Sequence, residues 1–276
     1  MTVRELLQNA ATKIDARDAS ILLAHTMGGR DRAWMLAHGD DSLDETTQSA
    51  FDTLLERRVA GEPLQYLTGV QEFYGLKLHV TPAVLIPRPE TELLVEQVEL
   101  WATQFHDERT LEIADVGTGS GAIAIALATH VAGVNLSAVD ISPAAIEVAS
   151  ENALRLGCAR KVSFYELDLL TDVEAHRFDA IVSNPPYVPS GDAAEMQQEV
   201  VEHEPHTALF AGEDGLEIYR RLIPQARRVL KPHGLLAMEF GYGQKDALAE
   251  MLSGWKHVRF IEDYAGIPRH VLAQRP

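Results

Sequence analysis

The sequence predicts a doubly wound α/β domain, preceded by a small all-helical domain and joined to it by a β-hairpin. Three observations carry this reading. From Leu111 onward, short apolar runs alternate with helical segments, the pattern of a largely parallel sheet with helices on its faces. A glycine-rich turn, Gly117-Thr118-Gly119-Ser120-Gly121, follows the first of these runs and opens a helix. Ahead of Pro63, apolar residues recur at helical spacing, with no strand-like alternation.

In the first part, Leu6, Leu7, Ala10 and Ile14 mark one helix, and Ile21, Leu22, Ala24 and His25 a second that ends at Gly28-Gly29. Trp34, Met35 and Leu36 supply the apolar part of a third. Ser42-Leu43-Asp44-Glu45 has the form of a capping box. It would open a helix through Phe51, Leu54, Leu55 and Val59, stopped by Gly61 and Pro63. Residues 1–70 are thus expected to form a helical domain suited to docking a partner. Phe73 to Ile86 changes period, with Gly75 and Thr81-Pro82 as breakers, so residues 71–87 are expected to form the hairpin linker. The third part, residues 88–276, begins with a Pro-punctuated helix start at Arg88-Pro89. Strands are expected at Leu111–Val116, Asn135–Asp140, Val162–Leu167, Phe178–Ser183, Gly234–Phe240 and Val258–Ile261. Val271–Gln274 is expected as a last, antiparallel strand.

Composition narrows the function. The chain of 276 residues carries a net charge of −17. Up to Leu85 it has 8 Lys/Arg against 12 Asp/Glu, and thereafter 16 against 29. Neither part is a basic module of the kind that displaces counterions from phosphates, so a stable nucleic-acid complex is not expected. Cys158 is the only cysteine, which excludes an intrachain disulfide and a Cys-rich metal site. His203 and His206 straddle Pro205 without an apparent third ligand, so no metal is expected. No apolar run reaches the length of a membrane span, and Met1–Leu7 meets charge too early for a signal peptide. The expected setting is the cytoplasm.

The chemistry is concentrated at strand ends. Phe178–Ser183 stops at Asn184-Pro185-Pro186-Tyr187, because neither proline has a backbone donor and both have a fixed φ. Each also presses the residue before it toward extended backbone, which stiffens Asn184. Ligands of parallel sheets bind at the C-terminal strand ends. There the Asn184 and Pro185 carbonyls would offer two acceptors to a planar NH2 group, with the Tyr187 ring beside it. The glycine loop lets backbone approach a ligand, and the following helix start favours a negative group. Gly117, Gly119 and Ala122 also satisfy a dinucleotide fingerprint, so the loop alone leaves two cofactors open. Asp115 ahead of the loop suits a free amino group, and Asp140 is placed for ribose hydroxyls. Asp168-Leu169 is placed for an adenine. Combined with the Asn-Pro-Pro-Tyr motif, these favour S-adenosylmethionine.

Asp115-x-Gly117-x-Gly119-x-Gly121, Asp140 and Asn184-Pro185-Pro186-Tyr187 together resemble the class I, Rossmann-like amino-methyltransferases. Three further segments resemble one branch of them, the protein-(glutamine-N5) methyltransferases. These are Gly61 to Gly69, Leu85 to Glu92, and Glu204-Pro205 with Ala208-Leu209, Gly212 and Gly215-Leu216. The helical domain and hairpin linker suit the same branch. That resemblance implies N5-methylation of the Gly-Gly-Gln glutamine of class I peptide chain release factors. It implies that Gly117, Thr118, Gly119, Ser120 and Gly121 hold the methionine part of S-adenosylmethionine, Asp140 its ribose, and Asp168 and Leu169 its adenine side. Family members often carry an aromatic where this chain has Leu169. Asn184 and the Pro185 carbonyl would bind the substrate amide, with Pro186 and Tyr187 completing the motif. A glutamine of a ribosomal protein or the N6 of adenine would fit the same acceptors. A cofactor-sensing protein without turnover is a third alternative.

Overall fold

The computed structural model describes residues 1–105 and 109–276. They divide into two units, Met1–Val70 with Gln197–His203, and Gln71–Met196 with Glu204–Pro276.

The first unit contains α1 (Val3–Ala10), α2 (Ala16–Thr26), α3 (Arg32–Ala37), α4 (Glu45–Val59) and α5 (Leu64–Thr68). Its core gathers Val3, Leu6, Leu22, Leu23, Phe51 and Leu67. The capping box expected at Ser42–Glu45 is corrected. Asp44 caps α4 by accepting from Thr47 N and Thr47 Oγ1, both at 2.8 Å, while Ser42 pairs with Thr2 in a β-bridge. A true capping box sits instead at Thr2 and Glu5 on α1. α4 ends at Val59, ahead of Gly61 and Pro63 as expected, and the fixed φ of Pro63 then starts α5. The segment 197–203 belongs to this unit through Glu199, which pairs with Arg58 at 2.7 Å. Arg58 also holds Asp18 at 2.8 Å.

β1 (Val70–Phe73) and β2 (Leu76–His79) form the hairpin. Tyr74 and Gly75 both have positive φ, 51° and 73°, as a tight type I′ hairpin turn requires. The hairpin is shorter than expected. Beyond His79 the chain runs as a loop whose Val80, Val84 and Ile86 are buried, so the apolar positions serve packing without a strand ladder.

The rest of the second unit comprises α6 (Pro89–Ala102), β3 (Leu111–Val116), α7 (Ala122–His130), β4 (Val134–Asp140), α8 (Pro143–Arg155), β5 (Val162–Glu166) and β6 (Phe178–Ser183). There follow α9 (Gln198–His203, of the first unit), α10 (Glu217–Val229), β7 (Leu230–Glu239), α11 (Lys245–Met251), β8 (Lys256–Glu262) and β9 (Pro268–Gln274). The seven-stranded sheet has the order β5-β4-β3-β6-β7-β9-β8. β3 to β7 are parallel, and β9 runs antiparallel between β7 and β8. β7 begins earlier than the expected Gly234. Gly234 lies inside the strand because a Cβ there would sit 3.0 Å from the Asp179 carbonyl of β6, a close backbone approach at the register shift.

One face of the sheet packs against α6, α7 and α8 through Leu94, Val98, Ile125 and Ala153. The other packs against α10 and α11 through Tyr219, Leu222 and Leu248. Ala122 to Ala128 of α7 are apolar and buried on every side, as an all-apolar helix must be. The chain reverses winding direction between β3 and β6, and that switch point is where an open α/β sheet leaves a crevice.

Candidate active site

A cavity of about 330 Å³ opens at this crevice. Its floor is built from strand ends: Val116 and Gly117 at the end of β3, Val139 and Asp140 of β4, Leu167 to Leu169 after β5, and Ser183 to Pro186 at the end of β6. Ala83 to Leu85, Pro205, Phe210 and Arg221 are among the residues of the other walls. Every residue of β6 is buried, so its terminus is fixed by the sheet. Ser183 Oγ donates to the Val116 carbonyl at 2.6 Å, locking the ends of β6 and β3 together.

The glycine loop divides its residues between two tasks. Gly117 (φ 75°) and Gly119 (φ 54°) line the cavity, and a Cβ on either would meet open space. Thr118 and Ser120 are buried away from it. At Gly121 a Cβ would fall 2.8 Å from Ile125 Cδ1 and 3.2 Å from Ala149 Cβ, so this glycine permits α7 and α8 to pack closely. Asp140 pins the loop: its Oδ2 accepts from Gly119 N and its Oδ1 from Ser142 N, each at 2.9 Å. Burial raises the Asp140 pKa above the usual carboxylate value, and these bonds oppose the rise.

Asp115 is fully buried beneath the loop and is not part of the cavity wall. Its Oδ2 accepts from Thr118 Oγ1 at 2.7 Å and Ala124 N at 3.1 Å, tying loop to helix. Its Oδ1 has no hydrogen-bond partner among the described residues. Burial pushes this carboxyl up to about 7, against those two hydrogen bonds. Asp168 and Leu169 do line the cavity, but Asp168 Oδ2 is paired with Arg221 at 2.5 Å, and Leu169 has φ 55°. Ile141, 61% exposed, adds an apolar wall next to Asp140. Its position directly after the strand-end carboxylate was the one signal that could have found it.

Asn184, Pro185 and Pro186 line the cavity, whereas Tyr187 packs against the core on the α10 and α11 side of the sheet. Asn184 Nδ2 donates to Thr91 Oγ1 at 2.9 Å, and Thr91 Oγ1 donates to Glu239 Oε2 at 2.7 Å. Burial, with the Glu239 carboxylate near, pushes the Tyr187 phenol up. The Tyr187 carbonyl accepts from Gln244 Nε2 at 2.9 Å, which also donates to Gly215 O at 3.2 Å. Gln244 Oε1 in turn accepts from Gly241 N. A Cβ on Gly215 would lie 2.2 Å from the Tyr187 carbonyl, so Gly215 has to be glycine for this turn to close.

Thr91, Glu239 and Gln244 carry no role in the sequence motifs, yet all three hold the Asn184–Tyr187 segment. No local pattern marks them, because each acts across the fold. Arg88, at the Pro-punctuated start of α6, meets Glu204 at 2.5 Å. Asp179 lies at the opposite end of β6. Burial alone would raise its pKa, but Glu112 N, Lys231 and Arg109 hold it below the usual value. His206 packs edge-on against Phe210, and no metal-binding cluster occurs among the described residues. No helix among them is long and apolar enough to cross a membrane.

Comparison with known proteins places this site in context. Residues 2–69 match the family described as PrmC N-terminal domain, and residues 91–259 match the methyltransferase small domain. The release factor glutamine methyltransferase of Koribacter versatilis (strain Ellin345) is 42% identical over 284 residues, covering 100% of this chain and 99% of that protein. Its namesake in Escherichia coli (strain K12) is 39% identical over 269 residues, covering 97% and 95%. Among solved structures, the hMettl16 catalytic domain in complex with MAT2A 3'UTR hairpin 6 aligns with a TM-score of 0.58 at 19% identity, over 80% of this chain and 81% of that one. A methyltransferase from Pyrococcus furiosus aligns at 0.53 and 19% identity, over 73% and 89%. At these identities the structures speak for the fold alone.

Proposed function

The chain belongs to the release factor glutamine methyltransferase family, and from that membership we propose how its own residues carry the reaction. The enzyme uses S-adenosylmethionine to methylate the N5 nitrogen of a release-factor glutamine. One observation carries the assignment of roles: Asn184 and Pro185 line the same cavity as Gly117, Gly119 and Asp140.

The cavity suits the cofactor. Gly117 and Gly119 leave room where side chains would intrude, Asp140 offers acceptor capacity to ribose hydroxyls, and Ile141, Leu167 and Leu169 offer apolar faces to a purine. Bound there, S-adenosylmethionine supplies an electrophilic methyl group on a sulfonium. Asp115 braces the loop from beneath.

A glutamine amide nitrogen is a weak nucleophile because its lone pair is delocalised into the carbonyl. The Asn184 Oδ1 and the Pro185 carbonyl accept its two hydrogens and stabilise the positive charge that develops as the nitrogen reacts. They also hold the nitrogen in line with the methyl donor, which supplies orientation. The Tyr187 ring backs the motif, and its raised pKa keeps the phenol neutral. No strong base is required beside the nitrogen when the proton leaves after transfer.

The substrate is a class I release factor, presented through its Gly-Gly-Gln loop, and the helical unit serves as the docking element. The cytoplasm is the setting that this substrate and the lone cysteine support. The test uses purified enzyme, labelled S-adenosylmethionine and an unmodified class I release factor. Parallel arms carry the same factor with the glutamine changed, a ribosomal protein mixture, and DNA. Label confined to the intact factor is the expected result. Label on DNA or a ribosomal protein would overturn the partner, and cofactor binding without label would overturn turnover.

A further inference from the structure

The Asn184 side chain has two chemically opposite ends, and only one of them suits an NH2 group. A carboxamide turned by 180° would present its own NH2 to the substrate and repel the amide it is meant to hold. The strand-end prolines fix the backbone of Asn184 but say nothing about which end of the amide faces the cavity. That choice is made by two residues far away in sequence.

Glu239 ends β7 and is 2% exposed. As a carboxylate it can only accept. Thr91, 4% exposed on α6, has a single hydroxyl proton and donates it to Glu239 Oε2 at 2.7 Å. Its oxygen is then left as an acceptor, and Asn184 Nδ2 fills that position at 2.9 Å. Turning the Asn184 amide would set its oxygen against the Thr91 oxygen. Thr91 would have to redirect its proton, and Glu239 would lose its shortest bond inside the core. Its other neighbours are poor substitutes: Tyr187 Oη stands at 3.4 Å and His270 Nε2 at 3.7 Å. Leaving a buried carboxylate underbonded is costly. Glu239 is itself held firmly, since its backbone carbonyl accepts from the buried Tyr219 hydroxyl at 2.8 Å.

The geometry points to Thr91 and Glu239 as positioning residues that set the polarity of the amide clamp. Through the one-way chain Asn184 to Thr91 to Glu239, they keep Asn184 Oδ1 toward the reacting group. The same chain makes the site discriminate a glutamine from a glutamate, because a carboxylate would meet only acceptors. This inference rests on the role of Asn184 proposed above.

The experiment compares wild type with Thr91→Val, Thr91→Ser, Glu239→Ala and Asn184→Ala, measuring cofactor Kd and kcat and KM for an unmodified release factor. It also measures competitive inhibition by a factor whose Gly-Gly-Gln glutamine is replaced by glutamate. Thr91→Val keeps the shape and removes the hydroxyl. It is expected to lower kcat by about 100-fold with cofactor Kd unchanged, and Thr91→Ser to restore kcat close to wild type. The glutamate factor should inhibit Thr91→Val more strongly than wild type, since a released Asn184 can turn its NH2 outward. Glu239→Ala should behave like Thr91→Val where it folds. Wild-type kcat in Thr91→Val, with Asn184→Ala inactive, would overturn the polarity device and leave the clamp standing. So would failure of Thr91→Ser to rescue. Turnover persisting in Asn184→Ala would overturn the clamp and the device together.

Discussion

The Glu204 carboxylate, with a side chain 1% exposed, accepts from Arg88 Nη2 at 2.5 Å and from Ile86 N at 3.2 Å. These bonds span 116 and 118 positions of the chain, and the two segments they join each border the cavity, through Leu85 on one side and Pro205 on the other. Charge here has an architectural task, to hold two loops as walls of one crevice.

Glu204→Ala therefore leaves a guanidinium and a backbone N–H without their acceptor. A loss of about 2–3 kcal/mol in folding stability is expected, read by chemical denaturation, together with weaker cofactor binding. Glu204→Gln keeps one acceptor and should recover part of both.

Gly215 has φ 71° and leaves no space for a side chain against the Tyr187 carbonyl. Gly215→Ala should cost about 2 kcal/mol or more through backbone strain and displacement, and should abolish methyl transfer as the motif shifts. Gly191 lies in the segment that follows Tyr187, with nothing within 4 Å of an added Cβ. Gly191→Ala should match wild type in both assays.

Asp140 uses both oxygens to hold Gly119 and Ser142. Asp140→Ala is expected to raise the S-adenosylmethionine Kd by at least about 10-fold, the equivalent of a lost charge-assisted hydrogen bond. Isothermal titration calorimetry reads this directly. A Kd equal to wild type would remove Asp140 from the cofactor's contacts.

Asp115 gives a pH signature. Its folded pKa of about 7 lies above its unfolded value of 3.8, so the folded state holds the proton more tightly. The associated stability is fully present below about pH 4 and is lost as pH rises through 7. Asp115→Asn cannot ionise. In cofactor-free enzyme, the stability of Asp115→Asn relative to wild type should increase by about 2 kcal/mol between pH 5 and pH 8. A difference independent of pH would show that Asp115 ionises normally in its buried position.

By itself, the sequence determined the elements and the motif residues. Apolar alternation from Leu111 set the strands, the glycine spacing set the loop, and the two prolines set where β6 stops. These are local effects, written in φ preferences and in periodicity. Local reading failed where a competing partner lay elsewhere: Ser42 joined Thr2 and left Asp44 to cap α4, and Val84 and Ile86 packed as loop residues instead of strand. Only the tertiary structure decided which motif residues face the cavity, separating Gly117 and Gly119 from Gly121 and Asp115. It also supplied Thr91, Glu239 and Gln244, whose hydrogen bonds bridge 93, 148 and 57 positions. A hydrogen bond's direction depends on what every neighbour donates or accepts, and that is fixed only when distant segments close around the same buried group.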